Sequence, residues 1–185
     1  EFNLRIVQAI KHEVGAIGLW QSLIGVVKEM SLYDDEYFIF CEDDHTFTKH
    51  YTPEVLQEGI ETAKSHNADI LLGGVSWLET AVQVSDRMFW VDKYTGNQFV
   101  VIFKKFYPVI LGITDFENMT ADKKISELSE NKFVIFPFIS LQKEFGYSDA
   151  TNNNNNTGRV DYLFDTTIKK LSKIDKVRRY YCNMR

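Results

Sequence analysis

Cysteine, positive charge and long apolar runs are all scarce in this 185-residue chain, and each scarcity closes off a class of protein. The two cysteines, Cys41 and Cys182, are too few for a disulfide framework and lack metal-ligand spacing, so a reducing, cytoplasmic setting is expected. A formal charge of −5 speaks against a nucleic-acid reader working through a basic face. No apolar run approaches the ~20 residues that cross a bilayer, and no secretory signal is read. What the chain does have is hydrophobic content of 44% and aromatic content of 14%, enough for one folded domain with a sizeable core. Its basic residues are concentrated late: Lys169, Lys170, Lys173, Lys176, Arg178, Arg179 and Arg185 stand against Asp175, beside Tyr180 and Tyr181. That stretch reads either as a solvated helix end or as a patch for peripheral contact with an anionic membrane surface, here the inner membrane.

Apolar periodicity organises the remainder. Leu4 to Ile10 reads as a strand, and Gly15 to Met30 as a helix with Ile17, Trp20, Ile24 and Val27 on one face. Tyr37 to Cys41 reads as a strand, Thr52-Pro53-Glu54 as a helix start running to about Ser65, and Ile70 to Leu72 as a short buried strand before Gly73-Gly74. This alternation predicts a parallel sheet with crossover helices. Arg87 to Asp92 and Gln98 to Phe103 read as strands paired antiparallel. Lys104 to Leu111 and Ala121 to Leu128, the latter capped by Thr120, read as helices, and Lys132 to Ile139 as a last strand. The tract Asn152 to Asn156 predicts a loop, and Val160 to Ile174 a helix. The expected division is a catalytic domain over 1–151, an Asn-rich loop over 152–158, and a C-terminal helix with basic tail over 159–185.

Glu42-Asp43-Asp44-His45 closes the Tyr37–Cys41 strand. Carboxyl ends of strands are where open α/β sheets bind ligands, and carboxylates are desolvated there only with a cation or donors beside them. Strand alternation puts Glu42 and Asp44 on one side and Asp43 on the other, an arrangement suited to one hard divalent ion. A solvated acidic turn is the alternative, and His45 is a further candidate ligand or a surface residue. Gly15 and Gly18, at a helix start, offer backbone N–H groups to an anion or else permit close packing. Asp122 complements a helix dipole or serves as a general base. Gln142 and Tyr147-Ser148-Asp149 form a polar loop or a donor set at the same rim. Trp77 and Trp90 pack locally or offer a sugar-stacking surface.

Taken in order, these residues resemble glycosyltransferase family 25, the lipooligosaccharide and collagen galactosyltransferase type. Gly15, Gly18 and Ser22 match a G-x-x-G-x-x-x-S turn; Glu42, Asp43 and Asp44 match an acidic block after a hydrophobic strand. Met119-Thr120-Ala121-Asp122 matches a short aspartate motif. Pro137, Gln142, Ser148 and Asp149 match a proline strand leading to Q-x(n)-S-D. The similarity spans roughly Ile6 to Thr151. Leu23 stands where the family has histidine, and Phe106-Tyr107-Pro108 where it has G-A.

The resemblance implies an α/β, GT-A-like three-layer domain with a mostly parallel central sheet and a C-terminal helix. It implies inverting transfer of a sugar, galactose foremost, from a nucleotide sugar (a UDP-sugar) to a saccharide acceptor of a cell-surface glycan such as lipopolysaccharide. Glu42 and Asp44 would hold Mn2+ or Mg2+. Asp43, Gln142, Ser148 and the Gly15–Ser22 turn would hold the donor. Asp122 would deprotonate the acceptor, with Asp149 as the second candidate base. Family chains carry a strand and helix ahead of the segment beginning at Glu1, so a catalytically incomplete nucleotide-sugar or glycan-binding relative is the second reading. A carboxylate metal hydrolase or Ca2+ module is the third.

Overall fold

A computed structural model describes residues 2–114, 120–144 and 158–182. Its elements are α1 (Gly15–Met30), β1 (Tyr37–Cys41), β2 (His45–Phe47), α2 (Pro53–Ser65), β3 (Ile70–Leu72), β4 (Trp77–Leu78), β5 (Ala81–Ser85), β6 (Met88–Val91), β7 (Tyr94–Thr95), β8 (Phe99–Phe103), α3 (Tyr107–Leu111), α4 (Ala121–Leu128), β9 (Lys132–Ile135), β10 (Ser140–Gln142) and α5 (Arg159–Cys182). Six strands form the central sheet in the order β1-β8-β3-β9-β6-β5, and β10-β2 and β4-β7 are two-stranded ribbons.

Period-2 alternation sorts the strands into two cores. Ile70, Leu72, Val100, Ile102 and Val134 face a core shared with α1, α3, α4 and α5, through Trp20, Leu23, Ile110, Ile125, Phe164 and Leu171. Leu71, Val101, Phe133 and Ile135 face α2 through Leu56, Ile60 and Ala63. The result is a mixed α/β sandwich with helices on both faces. Helix α2 begins as its sequence dictates: the Thr52 hydroxyl accepts from Val55 N at 3.2 Å and Pro53 occupies the first turn.

The parallel-sheet expectation fails in an instructive way. Only β3·β9 is parallel; β1·β8, β8·β3, β9·β6 and β6·β5 are antiparallel. β1, β3 and β9 do run in one direction, but β8 inserts between β1 and β3, leaving β1 at the sheet edge rather than at its centre. The β6 and β8 segments do not pair with each other; β6 pairs with β5 and β9. Leu4 to Ile10 forms no strand. Instead Ile10 N donates to Ser22 Oγ at 2.8 Å, Arg5 pairs with Glu29, and the Phe2 ring stacks near Phe47 and Tyr51. β9 stops at Ile135 because Pro137 has no N–H for a ladder, and the chain resumes as β10 on the other ribbon.

Helix α5 runs past its expected end, to Cys182, and its bases have internal uses. Lys170 Nζ donates to the Glu79 carbonyl at 2.6 Å, Arg178 pairs with Asp86 at 2.5 Å, and Arg179 with Asp175 at 2.9 Å. Among the described residues no helix is long and apolar enough to cross a membrane. The Asn152–Asn156 tract lies outside the described residues.

Candidate functional site at the carboxyl rim of the sheet

Because β1, β3 and β9 share a direction, their carboxyl ends and the amino end of β8 meet on one rim. Glu42 to Asp44 does not prolong β1; it forms a turn closed by His45 N donating to Glu42 O at 3.2 Å, after which β2 leaves the sheet. The sorting expected from alternation still appears: Glu42 and Asp44 are half-buried and Asp43 is exposed.

Glu42 N donates to the Gln98 carbonyl at 3.1 Å, anchoring the turn to the start of β8. Asp44 is held from the other ribbon: Gln142 Nε2 donates to Asp44 Oδ2 at 2.6 Å, and Lys143 N donates to the Asp44 carbonyl at 2.7 Å. His45 Nδ1 and Ser140 Oγ share a hydrogen bond at 2.8 Å, with the imidazole between the Phe47 and Phe99 rings. Asp122 approaches from α4. Its Oδ2 accepts from Gly96 N at 2.8 Å, and its Oδ1 accepts from Lys123 N at 2.8 Å and from the Thr120 hydroxyl. Gly96 has φ +107°, open to glycine alone at low cost, and a Cβ there would lie 2.9 Å from Gln98 Oε1.

The electrostatics follow from this crowding. Burial, then the charges of Asp44, Asp122 and Asp43, push the Glu42 carboxyl up to about 8. Burial also raises Asp44, against the lowering effect of its hydrogen bond from Gln142. Burial lowers His45, favouring the neutral imidazole. The charge of Asp122 thus reaches Glu42. Four buried polar atoms on this rim find no partner among the described residues: Asp44 Oδ1, His45 Nε2, Asn97 Nδ2 and Gln98 Oε1. Buried polar atoms are ordinarily satisfied by protein groups, ordered water or an ion, so these four are open to a water, an ion or a ligand.

No family model and no curated protein matches this chain. Among solved structures, one similar chain is described as the crystal structure of apo UDP-glucose pyrophosphorylase, with 9% identity, a TM-score of 0.46, and coverage of 83% of this chain. The match spans 60% of that structure's own length. Likeness at this level carries no argument, and the chemistry of the site is read from its own residues.

The remaining predicted site residues divide in two. Gly18 and Ser22 come together around the N-terminal segment, while Gly15 opens α1. Ser22 Oγ donates to Gly18 O at 2.7 Å while accepting from Ile10 N, and a Cβ at Gly18 would strike the Ile10 carbonyl. Their arrangement is accounted for by packing, and among the described residues no hydrogen bond joins them to the acidic turn. Ser148 and Asp149 lie outside the described residues, as does Tyr147. No set of three or more His, Cys, Asp or Glu side chains suited to a metal converges among the described residues, so Glu42 and Asp44 would supply two ligands and a bound ligand the rest. Asn97, Gln98 and Ser140 went unread in the sequence. The available signal was Gly96-Asn97-Gln98, a turn followed by buried amides ahead of the wholly apolar β8.

Proposed function

We propose that the chain is a glycosyltransferase that takes a sugar, galactose foremost, from a UDP-sugar to a saccharide acceptor, with inversion and in a metal-dependent way. The observation that supports it is the carboxyl rim, where Glu42 and Asp44 lie with three buried polar atoms of other residues that have no partner among the described residues, as Asp44 Oδ1 has none. Glu42 and Asp44 would hold Mn2+ or Mg2+, a fit suggested by a buried carboxylate oxygen with no donor on it and by hard oxygen ligands. Such an ion supplies neutralisation of a diphosphate leaving group. Gln142 fixes the Asp44 carboxylate, and the Asn97 and Gln98 amides offer hydrogen bonds to ribose or sugar hydroxyls. Both oxygens of Asp122 are already engaged as acceptors, one by Gly96 N and the other by Lys123 N and the Thr120 hydroxyl. In this reading it positions the Gly96–Gln98 turn, and proton abstraction falls to Asp149, seven residues beyond Gln142 in the sequence. The cell-surface glycan as acceptor and a cytoplasmic setting with peripheral membrane contact belong to the same proposal.

A second reading has one observation in its favour. Gly18 and Ser22 are occupied in packing, which removes part of that turn from a donor pocket and suits a relative that binds nucleotide sugar or glycan without turnover. A panel of nucleotide sugars, incubated with the full chain and Mn2+ or with chelator, separates the two. Release of UDP that requires the metal supports transfer. Metal-dependent binding with no release from any donor supports the second reading.

A further inference from the structure

Beside the acidic rim, and separated from it by Asp122, lies a groove of about 370 Å3 between the β4–β7 ribbon and α4. Trp77, Lys93, Tyr94, Lys123, Ser126 and Glu127 line it. Trp77 is the exception among the three tryptophans. Trp20 is buried, and Trp90 is half-buried with its Nε1 donating to the Glu130 carbonyl at 2.8 Å, whereas Trp77 is 44% exposed. That exposure is not slack in the backbone. Trp77 pairs with Thr95 in the ribbon, and neighbouring Ser76 is fixed on both sides, its N donating to Thr95 O at 2.9 Å and its carbonyl accepting from Thr167 Oγ1 at 2.8 Å. A rigid ribbon thus presents an indole face to solvent at the mouth of a pocket of small-molecule size.

The rest of the lining defines the occupant. Lys93 and Lys123 bring ammonium donors and Glu127 a carboxylate acceptor, while Lys93 already pairs with Glu79 at 3.3 Å. The charges nearly balance, which does not favour a diphosphate. A flat apolar platform facing mixed donors and acceptors suits a ring with one C–H face and hydroxyls at its edge. We propose that this groove binds a pyranose ring stacked on Trp77, with Lys123 and Glu127 bonding its hydroxyls. Asp122 links groove to rim: its carboxylate holds Gly96, next to Thr95, and its charge reaches both Glu42 and the Tyr94 phenol of the groove wall. As the acceptor subsite the groove rests on the transferase reading; as a saccharide site it does not.

The test uses saturation-transfer NMR on the full chain with lactose, maltose and cellobiose, and calorimetry with UDP and Mn2+ in parallel. Wild type should show saturation transfer to at least one disaccharide. Trp77→Ala should weaken that binding at least tenfold, Trp77→Phe should restore most of it, and UDP affinity should be unchanged in both variants. Absence of transfer to all three sugars in wild type, sugar binding undiminished in Trp77→Ala, or loss of UDP rather than sugar binding would each overturn the groove assignment. Sugar binding through Trp77 with no UDP binding in wild type would leave the groove standing and remove the transferase reading.

Discussion

The two ends of the same strands treat their acids in opposite ways. At the amino ends of β1, β3 and β9, three acids near the strand starts have a cationic partner. Glu36 pairs with Lys64 at 2.7 Å, Asp34 with Lys104 at 2.8 Å, and Asp69 with Lys105 at 2.9 Å, with Ser129 Oγ also donating to Asp69 at 2.7 Å. Lys104 accordingly holds the Asp34 carboxyl below its usual range. At the carboxyl ends, the ion pairs of the described residues include none to Glu42, Asp43 or Asp44, and Glu42 is pushed up to about 8. Neutralised acids at one end are structural ties. Crowded acids with no ion pair among the described residues carry a cost at the other, and a bound cation would relieve it.

The largest expected effect lies in turnover at the unpaired end. Asp149→Asn should lower the rate by roughly two to four orders of magnitude, the usual scale for losing a general base. Asp122→Asn should cost less, because it loosens a turn and removes no proton acceptor. Steady-state rates for the two variants decide between them: if Asp122→Asn is the more damaging, the base is Asp122.

Next comes binding. Asp44→Asn should weaken Mn2+-dependent UDP binding by more than the ~10–100-fold that loss of even an outer-shell partner costs, whereas Asp69→Asn at the paired end should leave it unchanged. Equal affinities for wild type and Asp44→Asn, measured by calorimetry, would erase the distinction between the two ends.

Stability should show the reverse pattern. Asp69→Ala removes a part-buried ion pair and the acceptor of Ser129, costing about 1–3 kcal/mol in urea unfolding. Asp44→Asn should slightly stabilise the metal-free protein. A loss at Asp44 as large as that at Asp69 would make the acidic turn a structural tie after all.

The smallest effect concerns pH. Glu42 holds its proton more tightly when folded, with a value of about 8 against the usual 4.5. Between those values the folded state binds more protons than the unfolded one, so stability falls as pH rises through the window and levels off outside it. In chelator, the wild-type melting temperature should drop by roughly a few degrees from about pH 5 to about pH 8.5, and Glu42→Gln should flatten the slope. Parallel slopes in the two proteins would show Glu42 to be solvated.

Much of the fold was legible, and the misses share a cause. Helical periodicity found α1 and α2, and the apolar runs found β1, β3, β8 and β9. Local pattern carries no pairing information, however, so the insertion of β8 between β1 and β3 could not be seen, and alternating elements suggested a parallel sheet. Leu4–Ile10 has a strand's composition, but ties to α1, Ile10 N to Ser22 Oγ and Arg5 to Glu29, hold it there instead. At the site, the acidic block was visible because three consecutive acids after an apolar strand are conspicuous. Asn97 and Gln98 were not, because a buried amide looks like a loop residue until the chain folds around it. Of the two readings of the Gly15–Ser22 turn, anion contact or close packing, the close approach of Ile10 to Gly18 and Ser22 fits the second.

The central claim is that the carboxyl rim is a cation-dependent nucleotide site. Calorimetric titration of the full chain with UDP, in Mn2+ and again in chelator, tests it most directly. The account predicts saturable binding in Mn2+, loss of at least tenfold in affinity on chelation, and proton release when Mn2+ binds near neutral pH, since Glu42 must deprotonate to serve as a ligand. UDP binding of equal strength with and without Mn2+, or no binding in either condition, would contradict it.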